Sequence, residues 1–177
     1  VVFFLGTATA GKYAPIVSLV SVLYLTANEA INIILRPYYF EYIATNKRRA
    51  GKKILKIYAL LLFVMSIIFI SLFTFFNQQI VSLILGENFR EYYYLLPMLS
   101  VGFAFLIFGY LFETMCLAYK KTWNVFKIES IAAITNIIIL PIMIYNFGIK
   151  GIPFAILCTY IAHFISGFIL TKKLLKN

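Results

Sequence analysis

The stretch that decides the fold is Lys47–Phe76, KRRAGKKILKIYALLLFVMSIIFISLFTFF. Its first seven residues hold five cations, and the remaining 23 form an apolar run whose only charged residue is Lys56. That run matches the ~20 residues a helix needs to cross a ~30 Å hydrocarbon core. In lipid every backbone N–H and C=O must be paired within its own segment, so the run is expected to be helical. Four further runs repeat the pattern: Tyr13–Leu35, Leu95–Ala118, Ile128–Tyr145 and Ile152–Thr171. The expected fold class is an all-α membrane protein, a bundle of five transmembrane helices with spans at about 13–35, 54–76, 95–118, 128–145 and 152–171. A β-barrel would alternate apolar and polar residues over ~10-residue segments, and the sequence has no such alternation.

Charge then orients the bundle. Of the 16 Lys and Arg residues, 13 fall in Arg36–Lys56, Lys120–Lys127 and Lys172–Lys176, which alternation puts on one side. The other side has only Lys12, Arg90 and Lys150. Cationic loops resist translocation, so the rich side is expected to be cytoplasmic, with the N-terminus outside and the C-terminus inside. Tyr38, Tyr39 and Tyr42, then Tyr92 to Tyr94, then Tyr119 and Trp123, mark the same boundaries as aromatic belts.

At 63% hydrophobic and 12% charged, the composition excludes an ordinary soluble domain, in which about a quarter of residues are charged. A net charge of +10 would point to nucleic acid in a soluble chain, but here it sits in short loops beside lipid headgroups. The expected partner is therefore anionic inner-leaflet lipid and not nucleic acid. Cys116 and Cys158 stand singly within apolar runs, with no CxxC pair or Cys/His cluster, so neither a metal site, a cofactor nor a disulfide is expected. The chain opens at Val1 inside an apolar stretch, without the basic region or cleavage site of a signal peptide. Val1–Leu5 is expected to be the outer end of an earlier helix. The piece Ile80–Leu85, ended by Gly86, is too short to cross and is expected to lie in the interface or cap the second helix.

Ionisable groups at membrane depth cost ~2.5–3.5 kcal/mol by insertion scales unless they meet water or a partner. The first span carries Asn28, Glu29, Asn32 and Arg36. The spacing i, i+3, i+7 puts Glu29, Asn32 and Arg36 on one helical face, either fastening that helix to its neighbours or lining a hydrophilic cavity where Arg36 meets an anionic substrate. Glu113, Glu129 and His163 are candidates for ion coupling. The alternatives are pairing of the two carboxylates with Lys120, Lys121 or Lys127, and a buried neutral His163 bonded to a neighbouring helix. Glu129 and Asn136, seven apart, share a face. Pro97, Pro141 and Pro153 are expected to permit bends, and Gly102 and Gly109 to permit close helix contact.

Two stretches carry a resemblance. Leu85-Gly86-Glu87-Asn88-Phe89, followed by Leu96-Pro97-Met98-Leu99-Ser100-Val101-Gly102, resembles a family pattern of small-loop Gly, acidic-aromatic turn and Pro-led helix. Asn136, then Gly148-Ile149-Lys150-Gly151, Ala155 and Tyr160, is similar to the signature of the polysaccharide export and O-antigen flippase family of the MOP (multidrug/oligosaccharidyl-lipid/polysaccharide) superfamily. Gly11-Lys12-Tyr13-Ala14 resembles the entry to that family's eighth helix. The pattern departs at Leu140, Tyr145 and Ile152-Pro153, where the family has Asn, Pro and a small pair.

The resemblance runs from about Gly11 to Leu170, with the polysaccharide-biosynthesis C-terminal-like region at about 52–170. It implies helices eight to twelve of a twelve-helix transporter, a partial C-terminal lobe whose other wall is a missing N-terminal lobe. It further implies flipping of undecaprenyl-pyrophosphate-linked oligosaccharide across the bacterial cytoplasmic membrane, by two lobes rocking about a central cavity. The expected partners are that lipid-linked oligosaccharide, membrane lipids and the other lobe. Multidrug or lipid II export is the alternative within the superfamily. A membrane-embedded glycan polymerase or acyltransferase is the alternative from another class. An enzyme is not expected, because the largest outer gap, Asn77 to Leu95, offers only Glu87 and Glu91 as acid–base groups. A non-catalytic scaffold is the third class.

Overall fold

Helices occupy every apolar run and extend beyond most of them. A computed structural model describes the backbone of residues 2–176 and the side chains of residues 11–174. The elements are α1 (Val2–Ala44), α2 (Arg48–Phe75), α3 (Asn77–Ile84), α4 (Leu95–Ala118), α5 (Thr122–Phe147) and α6 (Gly151–Lys176), with 3-10 segments at Glu87–Tyr92 and Gly148–Lys150. No strand occurs among the described residues. The expectation that Val1–Leu5 ends an earlier helix is corrected: Val2–Leu5 belong to α1 itself, because the small residues Gly6 to Gly11 continue the helical ladder into the first span without a turn.

Four helical stretches are long and apolar enough to cross a membrane: Gly11–Ala44, Arg48–Phe75, Leu95–Ala118 and Thr122–Leu174. The fourth takes in the last two expected spans, because only one 3-10 turn separates α5 from α6. Gly148 makes that turn at φ 57, a region open to glycine at little cost. The hairpin then closes tightly, since a Cβ on Gly151 would strike the Met143 carbonyl.

Wherever an expected boundary misses by more than one residue, the helix is the longer. α1 continues nine residues past Leu35 to Ala44, and α2 begins at Arg48, six before Ile54. Hydropathy locates the lipid-matched part of a helix, whereas backbone pairing continues into the headgroups and water. The 34 residues of Gly11–Ala44 make a rod of about 51 Å at ~1.5 Å per residue, longer than the ~30 Å hydrocarbon core. The expected basic loop is thus mostly helix, and the reversal is confined to Thr45–Lys47. Asn46 and Lys120 take left-handed conformations at φ 58 and φ 56. Lys47 N–H then bonds Tyr42 O at 2.8 Å and Lys121 N–H bonds Cys116 O at 2.8 Å, the six-to-one closure that ends α-helices. The first turn of α2 has no acidic residue, although a helix N-terminus favours anions. The basic cluster therefore does not serve helix stability.

Two of the three expected proline bends are corrected. Pro97 and Pro153 are each the third residue of their helix, α4 and α6, where the missing N–H would have had no intrahelical partner. Pro141 does lie inside α5. Pro15 and Pro37 lie inside α1, each removing one bond from its ladder. The short piece before α4 is α3, whose Val81 is buried while Leu83 and Ile84 are exposed. Gly86 stops it at φ 90.

The core is organised on α4, which buries residues around its whole circumference, from Leu95 and Leu99 through Ile107 to Met115. An all-round apolar helix belongs at the centre of a bundle. Against it lie Ile16, Val20 and Tyr24 of α1 and Tyr58, Leu62 and Phe73 of α2. The outer helices turn Phe63, Ile68, Ile165 and Phe168 outward, as a lipid-facing surface requires. Glycines bring α6 and α4 close together: Gly102 meets Ile156 and Leu157, Gly109 meets His163, and Gly167 meets Phe112. Gly102 and Gly109 thus permit the contact expected of them. Cys116 is buried and Cys158 half-buried, both as free thiols.

A methyl group at Gly109 would collide with the His163 ring, whereas one at Gly11 meets nothing within 4 Å. Gly109→Ala is expected to cost about 1–3 kcal/mol by overpacking, and Gly11→Ala to be neutral or slightly stabilising. Thermal unfolding of the purified protein checks this, and equal midpoints for the two variants would contradict the packing described.

Candidate functional site

The polar stripe of α1 stands on the wall of a cleft. Asn28, Glu29, Asn32 and Arg36 of α1, with Tyr110, Glu113, Thr114 and Leu117 of α4, line a space of about 420 Å³. Two turns of helix bring the three-residue and four-residue steps to the same side. Glu29, Asn32 and Arg36 also border a second space of about 390 Å³ on the stripe's other flank. The four residues are held differently. Asn28 is buried, and its Oδ1 accepts from Tyr58 Oη of α2 at 3.3 Å. Asn32 is buried and its Nδ2 donates to Glu29 Oε2 at 3.2 Å. Its Oδ1 is buried without a partner among the described residues, an unmet acceptor that costs free energy until a donor arrives. Glu29 itself is exposed on the cleft wall. Arg36 is half-buried, its guanidinium 5.1 Å from the Phe40 ring centroid. Neighbouring helices therefore shield the amides of the stripe and leave its carboxylate open to the cleft.

The three ion-coupling candidates converge from three helices. His163 Nε2 of α6 lies 2.8 Å from Glu113 Oε1 of α4 and 3.7 Å from Glu129 Oε1 of α5. Their side-chain exposures are 1% for His163, 14% for Glu113 and 55% for Glu129, so the cluster grades from a dry base to an open rim. With a carboxylate accepting, the imidazole donates from Nε2. His163 Nδ1 is buried without a partner among the described residues, on the side facing Gly109. The Tyr110 ring meets His163 edge-on, centroids 5.8 Å apart. The expectation that Glu113 and Glu129 pair with Lys120, Lys121 or Lys127 is corrected: among the described residues both carboxylates lie against the His163 imidazole instead. The antiparallel α5–α6 hairpin delivers residue 163 to residue 129, and α4 presents position 113 to that seam. An imidazole and two carboxylates with ligand atoms within 4.8 Å of one another form a set that can hold a proton or a cation.

A third space of about 380 Å³ joins this cluster to Asn136, Thr159 and Tyr160. Asn136 Nδ2 donates to Thr159 Oγ1 at 3.2 Å. Glu129 and Asn136 share this cleft, as their spacing implies. Tyr110 lines both this space and the α1/α4 cleft, and Glu113 lines the latter while bonding His163. The polar groups of α1, α4, α5 and α6 therefore form one continuous band. Tyr58, Tyr110 and Thr159 were not anticipated as members. Thr159 had a readable signal, because it precedes His163 by four residues on the same face. Tyr58 and Tyr110 had none, since a tyrosine in an apolar run reads equally well as core.

Compared with known proteins, the chain matches no family model, no curated protein and no solved structure.

The Glu113–His163 bond allows a graded test. Glu113→Gln keeps an acceptor for Nε2–H and is expected to cost about 1 kcal/mol or less, whereas Glu113→Leu leaves that donor buried and unmet at about 1–3 kcal/mol. Chemical or thermal unfolding in detergent checks the order, and equal loss in both variants would show that the bond does not contribute.

Proposed function

We propose that this chain is part of a multi-pass transporter that moves undecaprenyl-pyrophosphate-linked oligosaccharide across a bacterial cytoplasmic membrane. The observation that carries the reading is the continuous polar band from Arg36 to Asn136 on a bundle whose helices otherwise expose many large apolar side chains, among them Phe63, Ile68, Ile165 and Ile169. Polar and ionisable groups held at membrane depth mark substrate and ion paths. A sugar pyrophosphate needs hydrogen-bonding and cationic groups between apolar walls, while its polyprenyl tail stays in lipid. Arg36 supplies the cation of the α1/α4 cleft, and Asn28 and Asn32 supply amides beside it.

In this reading each arm of the α5–α6 hairpin crosses separately, giving five crossings, with the lysine-rich end cytoplasmic and the N-terminal end outside. Arg36 then lies toward the inner leaflet, where cargo is collected. The half-open band is the wall that a second, N-terminal lobe completes, and rocking of the two lobes supplies alternating access. Glu113, Glu129 and His163 are the ion-coupling set, placed beside the cargo cleft through Glu113. The chain works here as a carrier and not as an enzyme.

In the full-length protein, Arg36→Ala is expected to lower flipping of fluorescent lipid-linked oligosaccharide in proteoliposomes at least tenfold, with Arg36→Lys retaining part of the rate. Glu29→Ala is expected to lower it by a smaller factor. Wild-type rates in both alanine variants would overturn the reading. Efflux of cationic drugs without glycan flipping would move the chain to the exporter alternative.

A further inference from the structure

On the side of α5 and α6 turned away from the polar band lies a different kind of space, a groove of about 600 Å³. Phe126 and Ile131 of α5 and Ile165 and Ile169 of α6 form its walls. The small residues Ser130 and Ser166 leave room between them. The Ser166 hydroxyl donates to the His163 carbonyl at 2.9 Å, so it makes no polar demand on whatever fills the groove. The single charged residue in the lining is Lys127.

Three more features gather at the same end. Trp123, one turn before Lys127, stacks on Phe126 at 4.9 Å and 18°, and both rings are exposed. Lys173 follows Ile169 by four residues and so continues the α6 wall, exposed. α5 starts at Thr122 and α6 finishes at Lys176, so the antiparallel hairpin brings these residues to one mouth. Neither Lys127 nor Lys173 meets a carboxylate among the described residues.

We infer that this groove binds an anionic phospholipid, one acyl chain lying in the groove and the phosphate held between Lys127 and Lys173. A dry channel between lipid-facing helices takes a hydrocarbon chain. A tryptophan at the mouth marks headgroup depth, and basic pockets between helices at that depth recognise anionic headgroups. A second protein helix on the same groove would bury Lys127 without a counter-charge, a penalty that a phosphate removes. The inference depends on the hairpin lying in lipid and not on what the transporter carries.

Trp123 is the only tryptophan of the chain, so it reports on its own site. The protein is reconstituted in phosphatidylcholine vesicles containing equal small fractions of dibrominated phosphatidylglycerol or dibrominated phosphatidylcholine, and Trp123 fluorescence is read. Quenching by the anionic lipid is expected to show a preference of about fivefold for each lysine engaged. Lys127→Gln with Lys173→Gln is expected to abolish the preference. Ser166→Leu, which keeps both charges and fills the groove, is expected to reduce it severalfold, with circular dichroism showing unchanged helix content. Equal quenching by the two lipids, or an undiminished preference in both variants, overturns the inference. So does a preference seen only with added polyprenyl phosphate, which would make the groove a cargo site. Glycan flipping is tested separately by the Arg36 variants, so loss of the lipid preference and loss of flipping are distinguishable.

Discussion

The His163 ring occupies the space that any side chain on Gly109 would need. That intrusion lets α6 settle onto α4, and the rest of the polar architecture depends on it. Once the ring is there, its Nε2 reaches Glu113 on α4 and lies near Glu129 on α5, so one side chain ties three helices. Helix association in lipid gains little from apolar contact alone, because acyl chains solvate leucine as well as leucine does. Close backbone approach and buried hydrogen bonds have to supply the specificity. Gly109 and Gly167 supply the first, while His163–Glu113, Tyr24–Ser100 at 2.8 Å and Tyr58–Asn28 supply the second.

The molecule separates its chemistry by direction. Along its length, the ends differ: Lys12 and Lys150 lie over Tyr92 and Tyr94 at one end, while Tyr39, Lys52, Tyr119 and Leu174 meet at the other. Around its circumference, the polar band from α1 across α4 to α5 and α6 is distinct from the apolar groove behind the hairpin. The same two helices, α5 and α6, serve both faces because their residues divide by angle. Asn136, Thr159 and His163 look toward the band, and Ile131, Ile165 and Ile169 look toward lipid. A helix that separates its groups in this way can carry a hydrophilic path without exposing it to hydrocarbon.

Much of this was legible in the chain. Leu95–Ala118 emerged with both ends as expected, because Tyr92–Tyr94 mark its start and Lys120 its end. The shared face of Glu29, Asn32 and Arg36, the shared face of Glu129 and Asn136, and the packing role of Gly102 and Gly109 also follow from helical spacing. Less legible were the helix ends at Ala44 and Arg48, since apolar content reports contact with lipid and not backbone pairing. Pro97 and Pro153 misled because a proline's effect depends on how far it stands from the helix start. The lysines near Glu113 and Glu129 misled because nearness in sequence was read as nearness in space.

By itself the sequence determined an all-helical chain with apolar stretches long enough to cross a membrane, their approximate limits, the grouping of cations between them and the face each polar residue takes on its own helix. These follow from local rules: a backbone without water must pair internally, and a helix repeats every 3.6 residues. Which faces meet was decided only by the tertiary structure. Glu113, Glu129 and His163 came together, Tyr110 joined two clefts, and Glu29 stayed open while Asn32 was covered, because helix rotation and separation are set by the fit of Gly109, Gly151 and Gly167 against particular partners. Such contacts pair residues up to 76 positions apart, and no local rule carries that information.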